Sequence, residues 1–363
     1  GIEELAVAEL KELGIKKVRQ IYRGAWLKAS LEQVYKINYC SRLINRILAP
    51  ILSFDCHSTK YLKITASKIE WDKLLSVENT FAIFSTVSNS NIKHSQYASL
   101  VLKDAIADYF IEKKGKRPSV NKTNPDIWIN LHISKNRAQI SIDTSGGSLH
   151  KRGYRTESVK APMQEILAST IIKKSGWNGE NPLIDPMCGS GTLLAEAILK
   201  YKNIPSAYNR KRFGFENLPD FDKDKWKEIK QNCDSQISDL PEGLISGSDI
   251  DKDAVKITKT NFENILQGEK VKIKQIDFRD ISAIENSTII CNPPYGIRMG
   301  DSKKLEGFYR DLGDFLKQKC KGSTAWIYCG NRELIKSIGL KTSVKIPLKN
   351  GGLDGRLVKI EAY

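Results

Sequence analysis

Asp185-Pro186-Met187-Cys188-Gly189-Ser190-Gly191-Thr192 stands between a short apolar run, 183–187, and a helical pattern, 193–199. A glycine-rich turn leading from a strand into a helix brings bare backbone close to a ligand at the helix N-terminus. The acidic residue at its head sets the chemistry. Asp185 would repel a pyrophosphate but suits the ammonium end of an amino-acid-bearing ligand, and the third glycine of a G-x-G-x-x-G dinucleotide loop is missing.

Outward from this turn, apolar runs at 183–187, 244–249, 271–277, 287–292 and 325–329 alternate with helical stretches. That alternation predicts an α/β fold with a parallel, doubly wound sheet whose ligand lies at the carboxyl ends of the strands. The second strand ends in Gly247-Ser248-Asp249-Ile250-Asp251. Asp251 opens the helix 254–266, where an N-cap role accounts for it, so Asp249 is the better acceptor for a ribose diol. The third ends in Asp277-Phe278, an acceptor for an adenine amino group with a ring or main-chain amide beside it, although strand ends also favour Asp for local turns. After the fourth comes Asn292-Pro293-Pro294-Tyr295. An amide oxygen and a main-chain carbonyl, stiffened by two prolines of fixed φ, can accept both hydrogens of a planar exocyclic amine. Tyr295 offers a base its stacking surface. A closing hairpin, 343–348 and 356–362, adds to the sheet through Asn350-Gly351-Gly352.

The front of the chain reads differently. Residues 3–13 place Leu5, Ala6, Leu10 and Leu13 on one helical face before Gly14. Strands 18–22 and 25–29 follow around Arg23-Gly24, then a helix over 31–48 that stops before Pro50. A two-layer α/β module normally begins with a strand, so a first strand is expected to be missing. A second unit, 54–150, predicts a helix at 69–75, a strand at 80–87, a helix at 95–113 and a hairpin of 127–133 with 138–143 around Lys135-Asn136. Residues 145–155, with His150-Lys151-Arg152, read as a basic connector.

Composition narrows the class. The 363 residues are 40% hydrophobic without a run approaching the roughly 20 apolar residues of a membrane span. Gly1-Ile2-Glu3-Glu4 is unlike a secretory leader, and the expected location is cytoplasmic. Seven irregularly spaced cysteines with no Cys-x-x-Cys pair predict a reducing interior and no metal. The net charge of +16 favours a polyanionic partner. Residues 1–150 carry 22 basic and 14 acidic side chains and the rest 36 and 28, so each part is +8 and the excess is spread over folded domains.

The strand-end motifs resemble those of class I S-adenosylmethionine-dependent methyltransferases of the amino-group type. The whole chain, Gly1–Tyr363, is similar to one family among them, the THUMP-domain RNA methyltransferases, and within it to the bacterial 23S ribosomal RNA guanine-N2 methyltransferases. The matching residues are Gly115-Lys116-Arg117-Pro118-Ser119-Val120, Asn124-Pro125-Asp126-Ile127, Ser148-Leu149-His150-Lys151-Arg152-Gly153-Tyr154-Arg155, Ala161-Pro162-Met163-Gln164-Glu165-Ile166-Leu167-Ala168 and Asn292-Pro293-Pro294-Tyr295-Gly296-Ile297-Arg298. The glycine loop and Asn-Pro-Pro-Tyr alone would also fit DNA adenine methylases. Gly1-Ile2-Glu3 matches a family Gly-Leu-Glu that a strand precedes, in line with a trimmed start. One glycine loop and one Asn-Pro-Pro-Tyr stand here, whereas some members carry a second methyltransferase domain. Asn203-Ile204-Pro205-Ser206-Ala207-Tyr208-Asn209-Arg210 replaces a family Ala-Pro-Gly-Leu-like segment, so no substrate role is carried to it.

The resemblance implies a ferredoxin-like module over 1–53, a THUMP domain over 54–150 and a Rossmann-like methyltransferase domain over 151–363. It implies S-adenosylmethionine as cofactor, bound by Asp185, Met187, Cys188, Gly189, Ser190, Gly191, Thr192, Asp249, Ile250, Asp277, Phe278 and Asn292. Asn292, Pro293, Pro294 and Tyr295 would be catalytic, and Lys116, Arg117, Lys151, Arg152, Arg155 and Arg298 would hold RNA. The expected reaction is methylation of a guanine N2 amine in ribosomal RNA or an assembling large subunit. A transfer RNA guanine-N2 methyltransferase and a non-catalytic RNA-binding assembly factor are the rivals. Residues 151–363 alone are expected to bind cofactor but to lose most activity on RNA.

Overall fold

The structure is a computed structural model that describes residues 2–159, 162–296 and 302–362. Helix α1 (Ile2–Glu12) buries Ala6 and Leu10 and leads through Gly14 into the antiparallel hairpin of β1 (Lys17–Ile21) and β2 (Gly24–Lys28). Helix α2 (Leu31–Cys40) opens on a capping box of Ser30 with Gln33. It stops at Cys40, eight residues short of the expected 48, and the cause is Glu9. That buried carboxylate accepts from Ser41 Oγ at 2.6 Å, Arg42 N at 2.8 Å and Leu43 N at 3.1 Å, which takes the donors a longer helix would need.

Strand β3 (Leu48–Asp55) follows, irregular between Pro50 and Leu52, and the expected division at 53/54 falls inside it. Next comes α3 (Thr59–Ala66), capped by Ser58, in place of the helix expected at 69–75, where only a short turn, Trp71–Lys73, forms. Trp71 is buried and its indole N–H donates to Ala66 O at 2.9 Å, so this ring plugs the end of α3. β4 (Thr80–Ser88), α4 (Ser95–Lys114), β5 (Ser119–Val120), β6 (Ile127–Ser134) and β7 (Arg137–Asp143) complete a five-stranded sheet of order β3-β7-β6-β4-β5. Lys135 and Asn136 turn the β6–β7 hairpin with φ of 51° and 59°, as their sequence predicts.

The remaining elements are α5 (Glu165–Ser175), β8 (Leu183–Asp185), α6 (Thr192–Tyr201), α7 (Lys223–Asp234), β9 (Ile245–Asp249), α8 (Lys252–Phe262), β10 (Lys272–Gln275), β11 (Thr288–Cys291), α9 (Ser302–Lys319), β12 (Thr324–Cys329), β13 (Val344–Pro347) and β14 (Arg356–Glu361). Their seven-stranded sheet has the order β10-β9-β8-β11-β12-β14-β13, parallel from β10 to β12, with β14 and β13 antiparallel. The order reverses between β8 and β11, and a crevice at such a switch point is where a doubly wound sheet binds its ligand.

The front module and the large sheet share a core. Tyr35 and Tyr39 of α2 pack with Phe213, Phe215, Trp226 and Cys233. Arg42 Nη2 donates to Leu199 O and Ile204 O at 2.8 and 2.6 Å. A cut after residue 150 would leave those rings in water, so the expectation of a free-standing 151–363 does not carry over. All seven cysteines are free, with Cys40 and Cys233 Sγ 3.3 Å apart in this shared core. Among the described residues no helix is long and apolar enough to cross a membrane.

Candidate active site

Asp185 ends β8 fully enclosed, accepting from Met187 N at 3.1 Å, and burial pushes its carboxyl well up. Its ionised form is favourable there only beside a cation. The glycine loop is laced to the neighbouring strand: Cys188 N donates to Ser248 O at 2.9 Å, and Gly189 N to Asp249 Oδ2 at 2.8 Å. Asp249 Oδ1 accepts from Asp251 N at 3.0 Å, while Asp251 caps α8 as expected. Gly189 has φ +56°, and no atom lies within 4 Å of the place its Cβ would occupy. The space ahead of the loop is therefore open, and only a residue without a side chain leaves it so.

Around this centre, Ser190 and Thr192 are buried at the start of α6, Met187 is partly buried and Ile250 is exposed at the mouth of β9. Asp277 lies after β10, but both its oxygens are held by Arg279, whose Nη2 approaches to 2.6 Å and keeps the carboxyl below its usual range. Phe278 narrows an expectation. Its ring is 4% exposed and packs on Phe308 and Phe315 at 5.3 and 5.5 Å, so only its main chain can face a ligand.

Asn292 follows β11 across the switch point from Asp185. Its Oδ1 is buried with no hydrogen-bond donor among the described residues. An acceptor in that state costs about 1–3 kcal/mol, and native structures keep few such groups without a use for them. Pro293 is buried, Pro294 is exposed, and neither has an N–H to offer. Tyr295 is half-buried, edge-on to Tyr328 at 6.4 Å. It also lies over Gly330, where a Cβ would come within 2.5 Å of the ring.

Sequence reading missed Gly330, a lone glycine among 25 whose significance depends on a ring 35 positions away. Gly330→Ala must push Tyr295 off its seat. We expect a folded protein with at least tenfold lower kcat/KM and unchanged cofactor affinity, measured by steady-state methyl transfer and calorimetry; wild-type kcat/KM would show that Tyr295 tolerates displacement.

The basic residues divide. Lys116, Arg117 and Lys151 are exposed and free to meet phosphate. Arg152 is 2% exposed, with Nε on Glu196 at 3.4 Å and Nη1 on Leu149 O at 2.9 Å; it is an internal strut and the expectation of RNA contact fails. Arg155 is likewise turned inward, donating to Thr192 Oγ1 at 2.6 Å and Met163 O at 2.9 Å and pairing with Glu165 at 3.3 Å. It props the first residue of α6 behind the glycine loop. Arg298, with Ala161 and Ile297, lies outside the described residues. Among the described residues no group of three His, Cys, Asp or Glu could hold a metal ion.

One carboxyl edge thus gathers a glycine loop, a buried carboxylate, a second carboxylate at the next strand and a donor-starved amide, on a sheet that reverses at β8/β11 and ends antiparallel. Together these define a class I S-adenosylmethionine-dependent methyltransferase. Residues 152–359 match the family described as RMKL-like, methyltransferase domain, while 56–143 match the THUMP domain and 1–48 the RlmL ferredoxin-like domain. The chain belongs to the RMKL-like methyltransferase family.

A Synechocystis sp. protein named "Putative RNA methyltransferase slr0064" is 39% identical over 364 residues, covering 100% of this chain and 95% of its own length. Ribosomal RNA large subunit methyltransferase K/L of Vibrio parahaemolyticus is 36% identical over 97% of this chain and 51% of that protein. The chain therefore spans about half the length of its K/L relatives. The crystal structure of SMU.472 complexed with SAH matches with a TM-score of 0.88 at 28% identity, covering 100% of this chain and 96% of that one. TrmN from Thermus thermophilus, at 15% identity and a TM-score of 0.72, shares the fold.

Proposed function

We propose that this protein transfers a methyl group from S-adenosylmethionine to the exocyclic N2 amine of a guanine in large-subunit ribosomal RNA. The observation that carries the reading is the buried Asn292 Oδ1 at the switch point, without a donor among the described residues. The RNA substrate is supported by the THUMP match and by the names of the relatives.

The cofactor supplies an electrophilic methyl on a sulfonium, and the residues present fit it. Asp185 balances the ammonium, which relieves the cost of its own buried charge. Asp249 accepts from the ribose hydroxyls with the oxygen lone pairs left over from Gly189 and Asp251. Asp277 accepts from the adenine amine beside its Arg279 contacts, and Ile250 flanks the base. Asn292 Oδ1 and the following main-chain carbonyl accept the guanine amine's hydrogens, draw the nitrogen toward sp³ and aim its lone pair, while Tyr295 stacks on the ring. An in-line displacement needs alignment more than a strong base. The nitrogen becomes acidic once methylated and loses its proton to water held at Asn292 or to solvent. Because a paired amine is shielded, the guanine is taken from a loop or an opened helix. Lys116, Arg117, Lys151 and Arg298 hold phosphates.

Asp249→Ala should weaken cofactor binding by about 1.5–3 kcal/mol, the worth of a charge-assisted acceptor. RNA affinity should stay level. Unaltered cofactor affinity by calorimetry would remove Asp249 from the site. The substrate reading is tested by mass mapping of ribosomal and transfer RNA from a strain lacking the gene. Loss of one N2-methylguanine from the large ribosomal RNA is expected; loss confined to transfer RNA would overturn it.

A further inference from the structure

The outward face of the β1–β2 hairpin has no part in the chemistry above. Residues 13–31 carry five basic side chains, Lys16, Lys17, Arg19, Arg23 and Lys28, and no acidic one. The register sets Lys17 opposite Lys28, Arg19 opposite Trp26 and Ile21 opposite Gly24. Strand alternation sends Val18, Ala25 and Leu27 inward, where they pack on Leu10, Ile15 and Ile37. The other face is left with Lys17, Arg19, Ile21, Trp26 and Lys28, and the turn adds Tyr22 and Arg23.

Local stability does not account for this face. Tyr22 is 91% exposed, Trp26 47% and Ile21 46%, and two like charges sit directly opposite at one end. Cross-strand like charges are unfavourable unless an anion sits between them. The Arg19 guanidinium lies 5.1 Å from the centroid of the Trp26 ring, a flat cation beside a flat ring, both available to a planar partner. Exposed rings amid cations, in a stretch of sequence without an acid, are the makings of a platform for single-stranded nucleic acid: bases stack on the rings and phosphates meet the rim.

We propose that this face is a second RNA contact, separate from the methyl-transfer pocket, on which unpaired bases of the substrate stack on Trp26 and Tyr22 while Lys16, Lys17, Arg23 and Lys28 hold the phosphates. It rests on the reading that the protein acts on RNA. The module that carries it is fastened to the methyltransferase sheet through Arg42 and the shared aromatic core, so RNA held here keeps a fixed relation to the pocket.

The test uses the full chain and two labelled probes, an unstructured 12-nucleotide RNA and an RNA duplex of equal length, read by fluorescence anisotropy beside single-turnover methylation of ribosomal RNA. The Tyr22→Ala/Trp26→Ala protein should melt like wild type, bind the single strand about tenfold or more weaker and bind the duplex nearly unchanged. Tyr22→Phe/Trp26→Phe should restore binding. Lys17→Gln/Lys28→Gln should weaken both probes and flatten the salt dependence. Methylation should show a raised requirement for RNA with the saturated rate intact. A folded double-alanine protein that binds the single strand like wild type overturns the proposal, as does an equal loss on duplex and single strand. Failure of the functional reading looks different, since wild type itself would then neither bind RNA nor methylate it.

Discussion

Asn292→Ala is expected to give a folded protein that binds RNA nearly like wild type and turns over about 100- to 1,000-fold more slowly, the usual loss for one preorganised polar group that acts on the transition state. Among the described residues the amide oxygen has no donor, so none of their hydrogen bonds is lost with it. Its removal also relieves the desolvation cost of a buried unsatisfied acceptor, and the melting temperature should hold or rise. The pull on the amine is stronger in the transition state than in the ground state, which places the loss in turnover and not in binding. Tyr295→Ala should instead weaken base capture, while Tyr295→Phe keeps the ring. A merely structural turn gives the opposite pattern, with activity falling only as far as the protein unfolds. Single-turnover rates beside melting curves separate the two.

Glu196→Ala should produce the largest stability loss. Glu196 is fully buried on α6 and accepts from Arg152 Nε at 3.4 Å, Tyr154 OH at 3.2 Å and Ser169 Oγ. Its truncation leaves the Arg152 cation enclosed without a counter-charge, a change worth about 3–5 kcal/mol. Glu196→Gln keeps the size and an acceptor and should lose less. Scanning calorimetry should place the alanine protein several degrees below wild type. A melting temperature within a degree of wild type would show that Arg152 is not an internal strut and would restore it as a surface cation.

What was legible in the sequence lay in short, contiguous patterns. The octet 185–192 reports a strand, a tight turn and a helix start within itself, and Asp249, Asp277 and Asn292 each sit where an apolar run stops. Lys135-Asn136 was legible as a turn from the two alternating strands it joins, with Asn136 tolerant of positive φ. The errors have distant causes. Helix α2 ends because Glu9 of α1, a distant residue in sequence, takes the amide donors of Arg42 and Leu43 just past it. Arg152 reads as a basic connector until Glu196, 44 residues later, arrives beside it. Phe278 could offer a ligand its ring or its main-chain amide, and only Phe308 and Phe315 of α9, which claim the ring for the core, decide between them. Gly330 carries no local mark, since its value is the room it leaves for Tyr295.

The position of the methyl group on its product decides the central claim. Ribosomal RNA lacking the modification would be incubated with the full chain and S-adenosylmethionine labelled on the methyl carbon, digested to nucleosides and resolved by mass spectrometry. Label in N2-methylguanosine alone is the result expected if the amine held at Asn292 is that of a guanine. Label in 7-methylguanosine, where no amine is methylated, or in N6-methyladenosine would contradict it.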